Sequence, residues 1–559
     1  MRVFKLFAVP AVLASLVACG EPVEPPAVID ETTARTISQG ELVGFTDQFG
    51  AQVWRAVPYA AAPVGDLRWR APRPAEAFEA RFEALEFGPR CPQITNALDE
   101  AEGLEAGQII GSEDCLTLDI YAPPGTQPGD DLPVMVWIHG GANTWGRSSA
   151  YDGRQLAMDR DVIVIAMQYR LGPLGWLAHP ALRSDSETNA DRAANFAVLD
   201  MIAALEWVQD NADAFGGDAG RVTIFGESAG GHNVAALLAS EMARGLFHAA
   251  IIQSGSTRTV TLEEAEQTAP NSGIDRAAVF AGPDADAATM RATPLNDVYE
   301  AYREALAASS DMPRMIEDGV VIPQGGILGA AQTPGGFAPV PVITGANLDE
   351  MKLYGLLNPQ LVNRIGPFIW AKDRDVYDAV AEYPSRIWRA LAVDELAVAL
   401  NGAGHDQVWA YRFDWDEGGR FLVTDLAHLM GAAHSMEIPF VFNHFEFYGQ
   451  LDPILFNNGN FPGRAAVARD MGRHWGSLAA NGVPEADWPA WSEQGVLMRF
   501  DTPEDGGSEI LNGVETAALI ASDLASDERL SAELKCAVAA AILSRDPQLR
   551  PDFDAVLTC

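Results

Sequence analysis

Lysine is nearly missing from this chain. Lys5, Lys352, Lys372 and Lys535 are the only ones in 559 residues, and arginine supplies the other cations. Acids outnumber bases so far that the formal net charge is −39. A surface of that sign repels phosphate, which argues against a nucleic-acid partner. The composition suits a saline habitat, and a GC-rich coding bias towards Arg, Ala, Gly and Asp accounts for it as well. Long apolar runs are also absent: beyond the N-terminus none could cross a bilayer. No Cys or His spacing matches a zinc site, so no metal is expected.

Cysteine is scarce, at Cys19, Cys91, Cys115, Cys536 and Cys559. Cys19 ends "MRVFKLFAVPAVLASLVAC", a short basic start followed by an apolar run from Leu6 to Ala18, which has the build of an export signal. "LVAC" resembles the lipobox of bacterial lipoproteins, in which the cysteine is lipidated. Residues 1–18 are therefore expected to be a lipoprotein signal peptide, with a lipid anchor to the membrane at Cys19. Gly20 is not the aspartate that marks inner-membrane retention, so the outer membrane is the expected destination; the alternative is a plain secretory signal that happens to contain a cysteine, with a periplasmic or secreted protein. The Pro-, Glu- and Thr-rich residues 19–38 read as a flexible tether. With Cys19 set aside, an even number of cysteines remains, as an oxidising compartment requires. Closeness in sequence pairs Cys91 with Cys115 and Cys536 with Cys559, although sequence alone proves neither.

What is present is alternation. "VMVWIHGG" (134–141) and "DVIVIAMQYR" (161–170) are continuous apolar runs, as strands buried on both faces should be. Residues 194–217 carry Phe196, Leu199, Ile202, Leu205 and Val208 at helical spacing, and "RVTIFG" then reads as the next strand. Alternation of this kind implies an α/β protein with a large, mostly parallel central sheet covered by helices. No repeat or Gly/Ser linker divides residues 39–559, which are expected to form a single domain. The helix-rich stretches 259–320 and 352–400 are expected to form cap insertions over the site.

Within "TIFGESAGGHNVAALL" (223–238), Ser228 stands between glycines where a strand gives way to a helix. A bare GxSxG arises by chance in roughly one chain of this glycine content in five, so the context has to carry the weight. Here "RVTIF" precedes Gly226 and a good helix former follows Gly231, which is the arrangement of a nucleophile elbow. "WIHGGANTWG" supplies His139, Gly140, Gly141 and Ala142 after an earlier strand, where an oxyanion hole is built. Gly141, Ala142 and Ala229 are the expected main-chain donors, Ala142 on condition that its φ is negative.

These residues resemble the type-B carboxylesterases, the cholinesterase-like family of the α/β-hydrolase fold. "EDCLTLDIYAP" (113–123) and "AFGGDAGRVTIFGESAGG" (214–231) resemble its two signatures. Ordered matches continue through "GANLDE" (345–350), "GAAHSMEIPFVF" (431–442) and "WGSLAANGVPEADWPAW" (475–491). The resemblance implies Ser228 as nucleophile, Glu350 as orienting acid and His434 as general base. It also implies Ser254 as a partner of that acid, and a disulfide between Cys91 and Cys115. Glu227 is placed either to shape the local field or as a bystander. His428 competes with His434 when the resemblance is set aside. His139, His232 and Glu437 read as satisfied structural residues. Three departures stand out: Ala142 replaces a glycine, Asn143 an aromatic residue expected to line the pocket, and Met351 a glycine.

The segment from Cys91 to Cys115 contains no aromatic face for a quaternary ammonium, and its carboxylates interrupt any apolar lid. Choline esters and insoluble lipid are therefore disfavoured. The expected activity is hydrolysis of a small soluble carboxylic ester through an acyl-serine, without metal or cofactor. An amide or carbamate hydrolase would share every catalytic residue, and a surface-anchored, non-catalytic binding protein is the third reading. Oligomeric state is not legible.

Overall fold

The computed structural model describes residues 26–559 apart from 97, 98, 100–102, 270, 309–314 and 367. Cys19, the signal segment and the first part of the tether lie outside the described residues. The main sheet contains eleven strands. In chain order they are β1 (Phe45–Thr46), β2 (Gln52–Pro58), β3 (Thr117–Ala122), β4 (Leu132–Ile138), β5 (Ile163–Met167), β6 (Gly217–Glu227), β7 (Ala249–Gln253), β8 (Val342–Asn347), β9 (Val408–Phe413), β10 (Val496–Phe500) and β11 (Glu509–Asn512). Across the sheet the order is β11-β10-β9-β8-β7-β6-β4-β5-β3-β2-β1. Every pairing from β5 through to β10 is parallel, and both flanks are antiparallel.

Continuous apolar runs become strands because both faces of this sheet are covered. In β4, Val134, Val136 and Ile138 join one core while Met135 and Trp137 join the other. β5 divides in the same way, with Ile163, Ile165 and Met167 against Val164 and Ala166. A period of two thus feeds two cores with no residue left for solvent.

Eight helices matter below: α1 (Phe196–Asn211), α2 (Ala229–Ala239), α3 (Lys352–Leu357), α4 (Arg374–Arg389), α5 (Phe461–Asn481), α6 (Ala517–Ser526), α7 (Ala532–Arg545) and α8 (Arg550–Asp554). α1 begins within two residues of the sequence expectation and is buried along most of its length. Its Asp200 is fully buried and takes a two-pronged ion pair from Arg170, so neither charge is left alone in the core. The stretch 259–320 supplies helices Gly273–Phe280, Ala287–Ala292 and Leu295–Ala308, and 352–400 supplies α3 and α4. Both also contain short strand pairs, 259–261 with 315–317 and 362–365 with 368–371, which their composition did not announce.

Both disulfides form, Cys91–Cys115 and Cys536–Cys559. The first is buried in the larger core. The second ties the chain terminus to α7.

Candidate active site

The sheet register brings the two glycine-rich segments together. Gly226 pairs with Ile138, so the loop after β4 and the turn after β6 leave neighbouring strands at the same edge. The edge is the carboxyl end of the parallel block, where open α/β sheets place their ligands. Close approach is what the glycines provide. A Cβ on Gly226 would lie 2.6 Å from the Ile138 carbonyl oxygen, and one on Gly140 would lie 3.2 Å from the Ser228 Cβ.

Between β6 and α2, Ser228 is held at φ 59° and ψ −123°. A left-handed backbone is unfavourable for serine, and the surroundings over-determine it. Its amide donates to the Gln253 carbonyl on β7, and its own carbonyl accepts from His232 inside α2, both at 2.9 Å. The side chain is left half-buried at the head of a helix, where the dipole favours negative charge.

Three residues distant in sequence meet here. His434 Nε2 lies 2.9 Å from Ser228 Oγ. Its Nδ1 lies 2.5 Å from Glu350 Oε2. Glu350 is fully buried three residues beyond β8, and its other oxygen accepts from Ser254 Oγ at 2.6 Å and from the Asn347 amide at 2.8 Å. Three donors thus pair the oxygens of this buried carboxylate without water. His428 is elsewhere, its Nε2 2.9 Å from Asp378.

Glu227 is no solvated bystander. It is buried, with Oε1 3.2 Å from His434 Nε2. Burial drives its carboxyl well above the ordinary range. Burial alone would depress His434, but Glu227, Tyr354 and Glu350 overcome it and raise the imidazole. Behind them Glu437, also buried, accepts from Gln253 at 3.1 Å and Asn347 at 2.6 Å, and burial pushes it up to about 6. Among the described residues no hydrogen bond or ion pair joins it to the imidazole.

The loop 140–145 departs from expectation. Ala142 has φ 53° and Asn143 φ 60°, so the condition of a negative φ at Ala142 is not met. The cause is a tight turn in which the Thr144 and Trp145 amides both donate to the Gly141 carbonyl, at 3.0 and 3.1 Å. Asn143 is buried. Its buried amide pairs with that of Asn233 on α2, which locks the turn to the elbow helix. Among the described residues no acceptor takes the amides of Gly141, Ala142 or Ala229. His139 is buried and His232 half-buried, and desolvation lowers both to about 4. They are less satisfied than expected, since the Nε2 of each finds no protein partner.

Sequence reasoning missed the walls. The Trp388 ring lies 4.6 Å from the His434 ring, and Trp388 donates to the Ser254 carbonyl at 3.2 Å. The Tyr354 ring lies 5.9 Å from that of His434. Tyr354, two residues into α3, left no sign in the sequence, since its exposure is a property of the fold. Trp388, inside a cap helix, had none. Among the described residues no cluster of His, Cys, Asp or Glu could hold a metal ion, and no helix is long and apolar enough to cross a membrane.

A half-buried serine on a strand-to-helix elbow, backed by imidazole and carboxylate at the carboxyl edge of a parallel sheet, defines the α/β-hydrolase class. The carboxylesterase family profile matches residues 31–364. Bacillus subtilis para-nitrobenzyl esterase is 32% identical over 487 residues, covering 82% of this chain and 92% of that protein. A fumonisin B1 esterase from Sphingopyxis macrogoltabida is 32% identical over 489 residues, covering 82% and 84%. Among solved structures, a para-nitrobenzyl esterase superposes with a TM-score of 0.68 at 29% identity, covering 86% of this chain and 97% of that one. A Geobacillus stearothermophilus carboxylesterase gives 0.67 at 29%, covering 86% and 98%. The chain belongs to the carboxylesterase family and is a carboxylic ester hydrolase.

Proposed function

We propose that Ser228 is the nucleophile, His434 the general base and Glu350 the orienting acid of this ester hydrolase. The observation that carries the reading is the continuous chain from Ser228 Oγ through both imidazole nitrogens to a buried carboxylate. A serine hydroxyl is too weak an acid to ionise alone. His434 takes its proton as Oγ attacks the ester carbonyl and returns it to the departing alcohol. Water then cleaves the acyl-serine with the same histidine as base. Glu350 fixes the tautomer and stabilises the imidazolium, and Ser254 holds Glu350. The amides of Gly141 and Ala229 receive the oxyanion, and that of Ala142 joins them in spite of its positive φ, which the turn holds in place; none of the three has another acceptor among the described residues.

Small soluble esters are the substrate class. Residues 1–18 act as an export signal, Cys19 carries a lipid anchor, and residues 19–38 are the tether that holds the domain off the outer membrane. Both disulfides support an oxidising, exported setting. The test is Ser228→Ala with burst release of p-nitrophenol from its acetate or butyrate. Turnover should fall by about 10⁴-fold or more and the burst should vanish. Unchanged turnover would sink the assignment.

A further inference from the structure

The family profile ends at residue 364, yet the C-terminal helices reach the active site. Ile520 and Leu524 of α6, Val538 and Ile542 of α7 and Phe553 of α8 pack on Tyr383 and Ile387 of α4, the helix that runs into Trp388. Ion pairs from Arg386 to Glu515 and Asp523, and from Arg258 to Asp546, fasten the module on two sides. The docking delivers the last residue of α7, Arg545, to α3. One guanidinium nitrogen lies 2.9 Å from Met351 Sδ, directly after the acid Glu350, and Cζ stands 5.6 Å from the Tyr354 ring. That ring borders His434.

A guanidinium has five N–H donors. Here it meets a thioether, which is a weak acceptor, and an aromatic face, and neither neutralises it. Among the described residues no carboxylate forms an ion pair with Arg545, although the chain carries 77 acids against 38 lysines and arginines. The nearby acids are already engaged, Asp546 by Arg258 and Asp349 by Lys352. Arg545 is also exposed, so an incoming group can reach it. On the ester-hydrolase reading above, we propose that Arg545 is a specificity-determining residue that receives a carboxylate carried by the substrate. The preferred esters then bear an anionic group several bonds from the scissile carbonyl, bound in the paired geometry guanidinium gives carboxylates.

The test compares esters matched except for charge. p-Nitrophenyl hexanoate and the mono-p-nitrophenyl ester of adipic acid place the carboxylate on the acyl arm, and phenyl acetate and 4-acetoxybenzoate place it on the alcohol. In Arg545→Met the ratio of kcat/KM, carboxylate over neutral, should fall by about tenfold in at least one pair, and Arg545→Lys should recover part of it. The fall on substitution should be larger at low salt than at high, because screening weakens the local pair, whereas repulsion of the anion by the net charge of −39 is screened alike in both proteins. A ratio unchanged by substitution at low salt overturns the proposal, whatever happens to absolute rates, and as a ratio it does not depend on how much of the variant folds. Failure of the catalytic reading would show separately, as neutral-ester turnover that persists in Ser228→Ala.

Discussion

Replacing Ser254 should test whether the buried acid depends on its hydroxyl partner. The Ser254 Oγ donates to Glu350 Oε1 at 2.6 Å in a fully buried site, so no water can stand in for it. A hydrogen bond to a charged group contributes about 1.5–3 kcal/mol. The Asn347 amide shares the same oxygen at 2.8 Å and remains after substitution, which favours the lower half of that range. Ser254→Ala should therefore lower kcat/KM by about 10- to 30-fold, with KM for a neutral ester little changed. Backbone strain complicates the reading, because Ser254 sits at φ 48°. Ser254→Gly loses the same hydroxyl but relieves that strain, and should be more stable than the alanine variant by about 1 kcal/mol. The assay is steady-state p-nitrophenyl acetate hydrolysis normalised by burst titration of active sites, alongside thermal unfolding. Equal activity losses in Ala and Gly, with different stabilities, assign the effect to the hydroxyl. Wild-type kcat/KM in Ser254→Ala, or activity restored by glycine alone, would refute the reasoning.

Two further changes probe the neighbours of the triad. Catalysis needs neutral His434, and the Glu227 carboxylate 3.2 Å from its Nε2 favours the imidazolium and raises its pKa. Glu227→Gln removes that charge, so the acid limb of the kcat/KM–pH profile should move to lower pH, and a limb that stays or rises would show that Glu227 is uncharged where His434 titrates. Gly140→Ala would bring a methyl to 2.8 Å from the Glu227 carbonyl and 3.2 Å from the Ser228 Cβ, displacing the donor loop. A loss of about 100-fold in kcat at similar KM is expected, and a fully active variant would remove this loop from oxyanion binding.

The middle of the sheet was legible because burial on both faces leaves an unambiguous mark. β4 and β5 read as apolar runs and formed within three residues of the expected positions. The antiparallel flanks were not anticipated: β1 and β11 are short and carry exposed residues, so neither periodicity nor hydrophobicity separates them from loop. Ser228 was visible in the same local way, since elbow, strand and helix adjoin it. Glu350 and His434 were not local signals. They lie 84 residues apart, and the histidine is 206 from the serine, so only resemblance to a family could select them. Ala142 shows the limit from the other side. Its left-handed backbone is set by a turn pinned through Asn143 to Asn233, 90 residues further on, and no local pattern encodes that pairing.

A division of labour in the fold explains which parts motifs can reach. The proposed nucleophile and oxyanion donors project from the carboxyl ends of β6 and β4, where strand register fixes them and glycine spacing advertises them, while Glu350 and His434 come from the connections that follow β8 and β9 and carry no such mark. Trp388 and Tyr354, which border the imidazole, and Arg545, which lies against Tyr354, come instead from α4, α3 and α7, and Arg545 meets Tyr354 because the C-terminal module packs on α4. Packing of that kind depends on volume and apolar matching, which many sequences satisfy, so it leaves little trace in motif spacing. Chemistry is consequently held by the sheet, whereas the choice of ester is delegated to helices free to vary around it. Exchanging the C-terminal helices between relatives should therefore redirect substrate preference while leaving the alignment of Ser228, His434 and Glu350 in place.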